Sequence, residues 1–253
     1  LGCAEILPRH FRVLKRLAEY GFFKAGGVLI GTHAFVAYGN MLGVRWGTAD
    51  AARTQDIDFA HAGKSISLAL APHCQVQPHE AIQSLEMGFL PISGLAGKTG
   101  GAYLIPREKE FRLDFLTTVG RSGETPYEHP DLHVTLQPLR FMEYSLENVQ
   151  QTVLLSGADA VIVNLPHPAR YALHKLIVAG EREGAFQAKT GKDFVQAGLL
   201  LSVLRENRPW EVEEAWKNLE GRGKGWRSRA MRGLQALDRQ FPDEGFSAWL
   251  APA

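Results

Sequence analysis

The sequence predicts an α+β protein, in which a sheet with flanking helices is followed by an α-helical C-terminal part. Three observations carry this. Short apolar runs of strand length alternate with helical segments up to residue 165. Val28 to Ile30 passes through Gly31 directly into a helical stretch, so strand, turn and helix succeed one another. Beyond Pro166-His167-Pro168 every segment has helical periodicity. Two domains are expected, 1–165 and 166–253.

The elements follow in order. Pro8 to Tyr20 has the pattern of an amphipathic helix with a basic outer face. Val28 to Ile30 is a short strand, and Thr32 is placed to cap a helix from Ala34 to about Met41. Gly43 to Thr54 lacks apolar periodicity and reads as a loop, after which Gln55 to Ala60 returns as a strand. His79 to Met87 is expected to be helical, and Ala102 to Ile105, Phe111 to Thr118 and His133 to Leu136 to be strands. Phe141 to Asn148 resembles a short helix. Thr152 to Asn164 holds two apolar runs broken by Ser156-Gly157-Ala158-Asp159, the signature of a hairpin. Pro168 suits a helix start, and helices are expected at Ala169 to Glu183, Lys192 to Glu206, Trp210 to Leu219 and Trp226 to Phe241.

Composition narrows the function classes. With 253 residues, 45% of them hydrophobic, the chain can bury real cores without covalent staples. Cys3 and Cys74 are its only cysteines and have no zinc-like spacing, so neither a disulfide framework nor a structural metal is expected, and a reducing cytoplasmic setting fits. No run approaches membrane-spanning length, so no membrane partner is expected. The start at Leu1 has no charged region ahead of an apolar core, which argues against a signal peptide, and the missing Met places the natural start upstream. The net charge is +1, but Arg222 to Arg239 holds six basic residues (Arg222, Lys224, Arg227, Arg229, Arg232, Arg239) against one acid, Asp238. That run is either a solvated helix face or a patch for nucleic acid or polyphosphate.

The chemistry centres on three acids. Asp56 and Asp58 are separated by one apolar residue, so on a strand both point the same way. Two carboxylates that close are stabilised by a cation between them, which makes the pair a candidate Mg²⁺ site. Asp114 lies in Phe111-Arg112-Leu113-Asp114-Phe115-Leu116, where an acid inside an apolar strand needs a partner or a metal. Three such acids could hold two Mg²⁺ ions, as nucleotidyl transfer requires. Gly31-Thr32 adds helix N-terminal N–H groups and a hydroxyl suited to a triphosphate.

These residues resemble a known family. An apolar residue, Gly, a small residue, a helix, then Asp-x-Asp and a third Asp on a later strand is similar to the nucleotidyltransferase superfamily that includes polymerase-β-like enzymes. Arg53-Thr54-Gln55-Asp56-Ile57-Asp58 and the helical C-terminal half look closest to bacterial proteins of the abortive-infection and toxin-type branch. The resemblance covers about Val28 to Thr118 and loosens afterwards. It implies a polymerase-β-like mixed sheet, divalent metals on Asp56, Asp58 and Asp114, and triphosphate on Gly31 and Thr32. Two departures stand out: Thr32 replaces the usual Ser or Gly, and the long interval from Gly31 to Asp56 requires an inserted loop. It also makes Lys175 and Lys192 candidate triphosphate or acceptor contacts, with an ion pair between helices as the alternative.

Other residues leave choices open. Arg53 either contacts triphosphate or pairs with one of the acids. His33, opening the first helix after the turn, is either a helix-terminal polar residue or an acid–base group. Gly94-Leu95-Ala96-Gly97-Lys98-Thr99 superficially looks like a phosphate loop, but its first Gly would fall at Ile92, so a Gly-rich hairpin tip is favoured. The expectation is a Mg²⁺-dependent transfer of NMP from an NTP to an acceptor hydroxyl, at an RNA 3′ end, on a protein or on a small molecule, with release of pyrophosphate. The alternatives are a non-catalytic nucleotide-binding protein, acting as a sensor or as one partner of a toxin–antitoxin pair, and a hydrolase using the same metals.

Overall fold

The computed structural model describes residues 3–47, 52–62, 76–93, 99–119, 123, 125–181 and 187–252. The chain divides into two compact units, Leu1–Pro166 and His167–Ala253. The first is built on a mixed sheet, the second on helices, so the α+β class holds.

The first unit opens with α1 (Pro8–Glu19), started by Pro8 in its first turn. His10, Phe11, Val13, Leu14 and Leu17 form its buried stripe. Its basic outer face is tied down: Arg9 pairs with Glu108 at 2.5 Å, Arg12 donates to the Leu85 carbonyl at 2.7 Å, and Lys15 pairs with Asp159. After β1 (Val28–Leu29) comes α2 (Gly31–Leu42), closed by Gly43 in the left-handed conformation.

The sheet then forms from β2 (Ile57–His61), β3 (Leu90–Ser93), β4 (Thr99–Ile105), β5 (Glu108–Thr118), β6 (Tyr127–His129) and β7 (Val134–Leu139), with α3 (Pro78–Gln83) between β2 and β3. The main order is β1-β2-β5-β4-β3, with β7 on β5 and β6 on β7. β5 is the hub. It runs parallel to β2 and β7 and antiparallel to β4. Alternation along β5 buries Phe111, Leu113, Phe115 and Thr117 on one face. There Phe22 meets Phe59 and Phe115 edge to face, with centroids 5.4 Å and 5.7 Å away. On the other face α4 (Met142–Leu146) sets Met142 and Leu146 against Val28, Ile30, Ala60 and Ala62. A two-stranded ribbon of β8 (Val149–Ser156) and β9 (Asp159–Pro166) completes the unit, turning at Gly157 with φ +58°.

The second unit comprises α5 (Pro168–Glu181), α6 (Gln187–Asn207), α7 (Pro209–Glu220), α8 (Lys224–Gln240) and α9 (Phe246–Leu250). α5 and α8 approach closely because two glycines face the other helix's backbone. A Cβ on Gly180 would stand 2.7 Å from the Arg229 carbonyl oxygen, and one on Gly233 would overlap the Leu176 carbonyl.

The structure revises several sequence expectations. Helix α2 starts at Gly31, and its N-cap residue is Ile30 with no side-chain cap. Thr32 is therefore the second helical residue, 8% exposed, and does not cap the helix. The expected His79 to Met87 helix is only Pro78–Gln83, because Glu86 and Gly88 both have positive φ. Strands β3 and β6 and helix α9 were not anticipated, and β4 and β5 begin earlier than their apolar runs. The Gly94-to-Lys98 segment lies outside the described residues.

Candidate active site

The site grows from one strand and the turn beside it. Ile57 and Phe59 of β2 point into the core, so Asp58 between them points to the opposite face. β1 lies antiparallel to β2, and the Ile30 N–H donates to the Asp58 carbonyl at 3.0 Å. The chain then turns at once into α2 through Gly31, whose φ is +64°. Only glycine takes this conformation without strain, and here it also makes room. A Cβ on Gly31 would overlap the Asp58 carboxylate, with Cγ 3.1 Å away. The Asp58 carboxylate thus rests on the first residue of α2, at the positive end of the helix dipole.

Asp114 stands next to it. In the parallel β2–β5 register Asp58 is paired with Asp114, so the two share a face on strands about 4.8 Å apart. The same face carries Ala60 and Leu116, which belong to the apolar cluster around α4. Two residues before Asp114, and therefore on its side of β5, Arg112 donates from Nε to Asp114 Oδ1 at 2.7 Å, and its Nη2 forms an ion pair with the same oxygen at 2.7 Å. Arg112 was not singled out from the sequence, although the period-two spacing carries the signal.

Asp56 immediately precedes β2. It is partly buried, and its Oδ1 receives the hydroxyl of Thr54. Arg53 is exposed. A buried histidine pair, also missed in sequence, lies at this end of the unit: His10 Nδ1 and His33 Nε2 are 3.0 Å apart. His10 packs on Phe111 with ring centroids 4.8 Å apart. Burial pushes its pKa down to about 4, and Arg9 lowers it further, while the charge of Asp56 pulls the other way. At that value the ring is neutral near pH 7 and can share a single proton with His33.

The structure thus brings Gly31, Asp58 and Asp114 together and sets Asp56 two residues from Asp58. Thr32 follows Gly31 in the first turn of α2. Lys175 and Lys192 belong to the second unit. There Lys175 Nζ donates to Asp193 Oδ1 at 2.5 Å and lies 5.0 Å from the Tyr171 ring centroid. Lys192 is half-buried on α6.

Among the described residues, no three His, Cys, Asp or Glu side chains converge closely enough to hold a metal as they stand. The donor chemistry nonetheless fits a hard divalent cation. All the candidate ligands are carboxylate oxygens, and the register pair Asp58 and Asp114 faces one way. Arg112 supplies the positive charge beside Asp114, and Thr54 satisfies one oxygen of Asp56. Among the described residues no helix is long and apolar enough to cross a membrane.

A family model described as nucleotidyltransferase matches residues 9–220, a span that includes the Gly31 turn and all three acids. Among solved structures the chain is similar to an antigenic nucleotidyltransferase-like protein from Paracoccidioides brasiliensis. That similarity has 12% identity and a TM-score of 0.45, over 98% of this chain and 94% of that one. No curated protein matches the chain.

Proposed function

This chain belongs to the nucleotidyltransferase family, and we propose that it moves the NMP group of an NTP onto an acceptor hydroxyl, releasing pyrophosphate, in a reaction that requires Mg²⁺. The observation that carries this is the packing of Asp58 on the Gly31 turn with Asp114 paired beside it. That arrangement sets carboxylates next to the start of a helix, where N–H groups favour phosphate oxygens.

Asp56, Asp58 and Asp114 would hold the divalent cations. When bound, two such ions supply charge neutralisation for the attacking and leaving oxygens. Gly31 and Thr32 receive the β- and γ-phosphates at the first turn of α2. Asp114 orients the acceptor hydroxyl and accepts its proton. The acceptor oxygen forms a bond to the α-phosphorus while the bond from that phosphorus to the pyrophosphate oxygen breaks. Arg112, paired with Asp114, would supply positive charge beside the phosphates. Arg53 is a further candidate for triphosphate contact, and the N-terminal unit is the catalytic domain of this scheme.

A second reading has its own support. Arg112 holds Asp114 and Thr54 holds Asp56, so two of the three acids already have partners. A nucleotide-binding protein without turnover, working through a partner protein as in a toxin–antitoxin pair, would look the same.

The test is incubation with each labelled NTP, Mg²⁺ and total cellular RNA or protein, comparing wild type with Asp56→Ala/Asp58→Ala. Label transferred by the wild type alone supports the transferase and reveals its acceptor. Metal-dependent NTP binding without transfer supports the second reading.

A further inference from the structure

The first turn of α2, Gly31-Thr32-His33, is held from two sides. From the sheet, the Ile30 N–H donates to the Asp58 carbonyl at 3.0 Å. From α1, His10 Nδ1 stands 3.0 Å from His33 Nε2, with the two rings edge to face. Ile30 offers no side-chain cap and Gly31 enters the helix at φ +64°, so contacts from outside the turn fix its direction.

The histidine contact is poorly explained by stability. Both imidazoles are buried, at 1% and 4% exposure. His10 Nε2 has no hydrogen-bond partner among the described residues. An orphaned N–H is less favourable to bury than a bare acceptor, so the His10 proton sits on Nδ1 and is donated to His33 Nε2. One such bond adds little net stability, and two apolar side chains of similar shape in its place would be neutral or stabilising. Apolar side chains would not, however, fix the distance and direction between α1 and the start of α2.

The surroundings set the pair beside the candidate site. His33 directly follows Thr32, and the charge of Asp56 acts on His10. Arg9 acts on it too, with its guanidinium over the Phe111 ring and paired with Glu108.

We propose that His10 is a positioning residue for the triphosphate: its hydrogen bond to His33 holds the first turn of α2 where Gly31 and Thr32 receive the phosphates. This rests on the assignment of the phosphates to that turn in the reading above, and it requires NTP binding but not turnover.

Calorimetric titration of the full chain with ATP, GTP, CTP and UTP in turn, in the presence of Mg²⁺ and alongside urea melts, tests this. His10→Leu should weaken binding of the preferred NTP by about five- to tenfold. His33→Leu should do the same, and His10→Leu/His33→Leu should lose no more than either single change, because all three remove one bond. The leucine pair should unfold at a urea concentration no lower than the wild type, which separates the loss of affinity from a loss of fold. His10→Asn/His33→Gln places amides where Nδ1 and Nε2 stand and should restore the wild-type affinity. Should the single leucine variants fail to fold, the two double variants decide. The proposal is overturned if the leucine pair fails to fold or binds as tightly as the wild type, if the single losses add, or if the amide pair binds no better than the leucine pair. NTP binding by a wild type that transfers no NMP would overturn the transfer reading and leave the role of His10 standing. A wild type that binds no NTP would overturn both.

Discussion

Asp58 and Gly31 are packed so closely that neither position tolerates extra bulk: the carboxylate fills the space a Cβ on Gly31 would need. Gly31 also has a φ of +64°. Gly31→Ala therefore meets two penalties, backbone strain of about 1 kcal/mol and a clash at the carboxylate. We expect a loss of about 2–3 kcal/mol in urea melts and a large loss of NTP binding. Adding Asp58→Ala to Gly31→Ala should recover the clash and leave the strain, so the double-mutant cycle should show coupling. Simple additivity would contradict the packing account.

The Arg112–Asp114 ion pair is half-exposed, with side chains 47% and 20% accessible, so it is worth no more than about 1 kcal/mol. If cation binding must displace Arg112, then Arg112→Ala should bind Mg²⁺ up to about fivefold more tightly without nucleotide. Calorimetric titration measures this, with Asp114→Asn as the variant that should lose the gain. Weaker Mg²⁺ binding by Arg112→Ala would show that the arginine orders the site.

His10 gives the chain an acid-sensitive buried group. Its pKa is about 4 in the folded protein against an ordinary 6.5. Between these values the unfolded chain takes up a proton that the folded chain refuses, so stability falls as pH drops through this window. The full effect is about 3 kcal/mol, and burial lowers His61 and His167 in the same direction. Urea melts at neutral pH and near the lower end of the window should show this decline. His10→Asn should flatten it, and an unchanged slope would remove His10 from the account.

Gly233 predicts a purely structural effect. Its Cβ would overlap the Leu176 carbonyl, and backbone cannot swing aside as a long side chain can. Gly233→Ala should destabilise the helical unit by about 1–3 kcal/mol despite the better helix propensity of alanine. Thermal melting decides, since a rise in melting temperature would show that α5 and α8 have room to part.

Much of this was legible in the sequence because it is local. The buried stripe of α1, the β1-to-α2 passage, the Gly157 hairpin and the Pro168 start all follow from period and turn chemistry. β3 was hidden by Pro91, which an edge strand tolerates. The charged start of β5, Glu108 to Glu110, disguised a strand exposed at that end. Asp56, Asp58, Asp114 and Gly31 stood out as a motif, but the Asp58–Asp114 register comes from pairing strands far apart in the chain, which periodicity does not encode. The His10–His33 contact is equally non-local, joining two helices. Arg112 was readable, two residues from Asp114 on the same strand face.

The most direct test of the central claim follows both ends of the triphosphate. NTP labelled at the α-phosphate and, separately, at the γ-phosphate is incubated with Mg²⁺ and the acceptor fraction, using wild type, Asp58→Asn and Asp114→Asn. Nucleotidyl transfer predicts α-label on the acceptor and γ-label in pyrophosphate for the wild type, both lost in each variant. γ-label released as inorganic phosphate, or α-label transferred equally by the two variants, would contradict it.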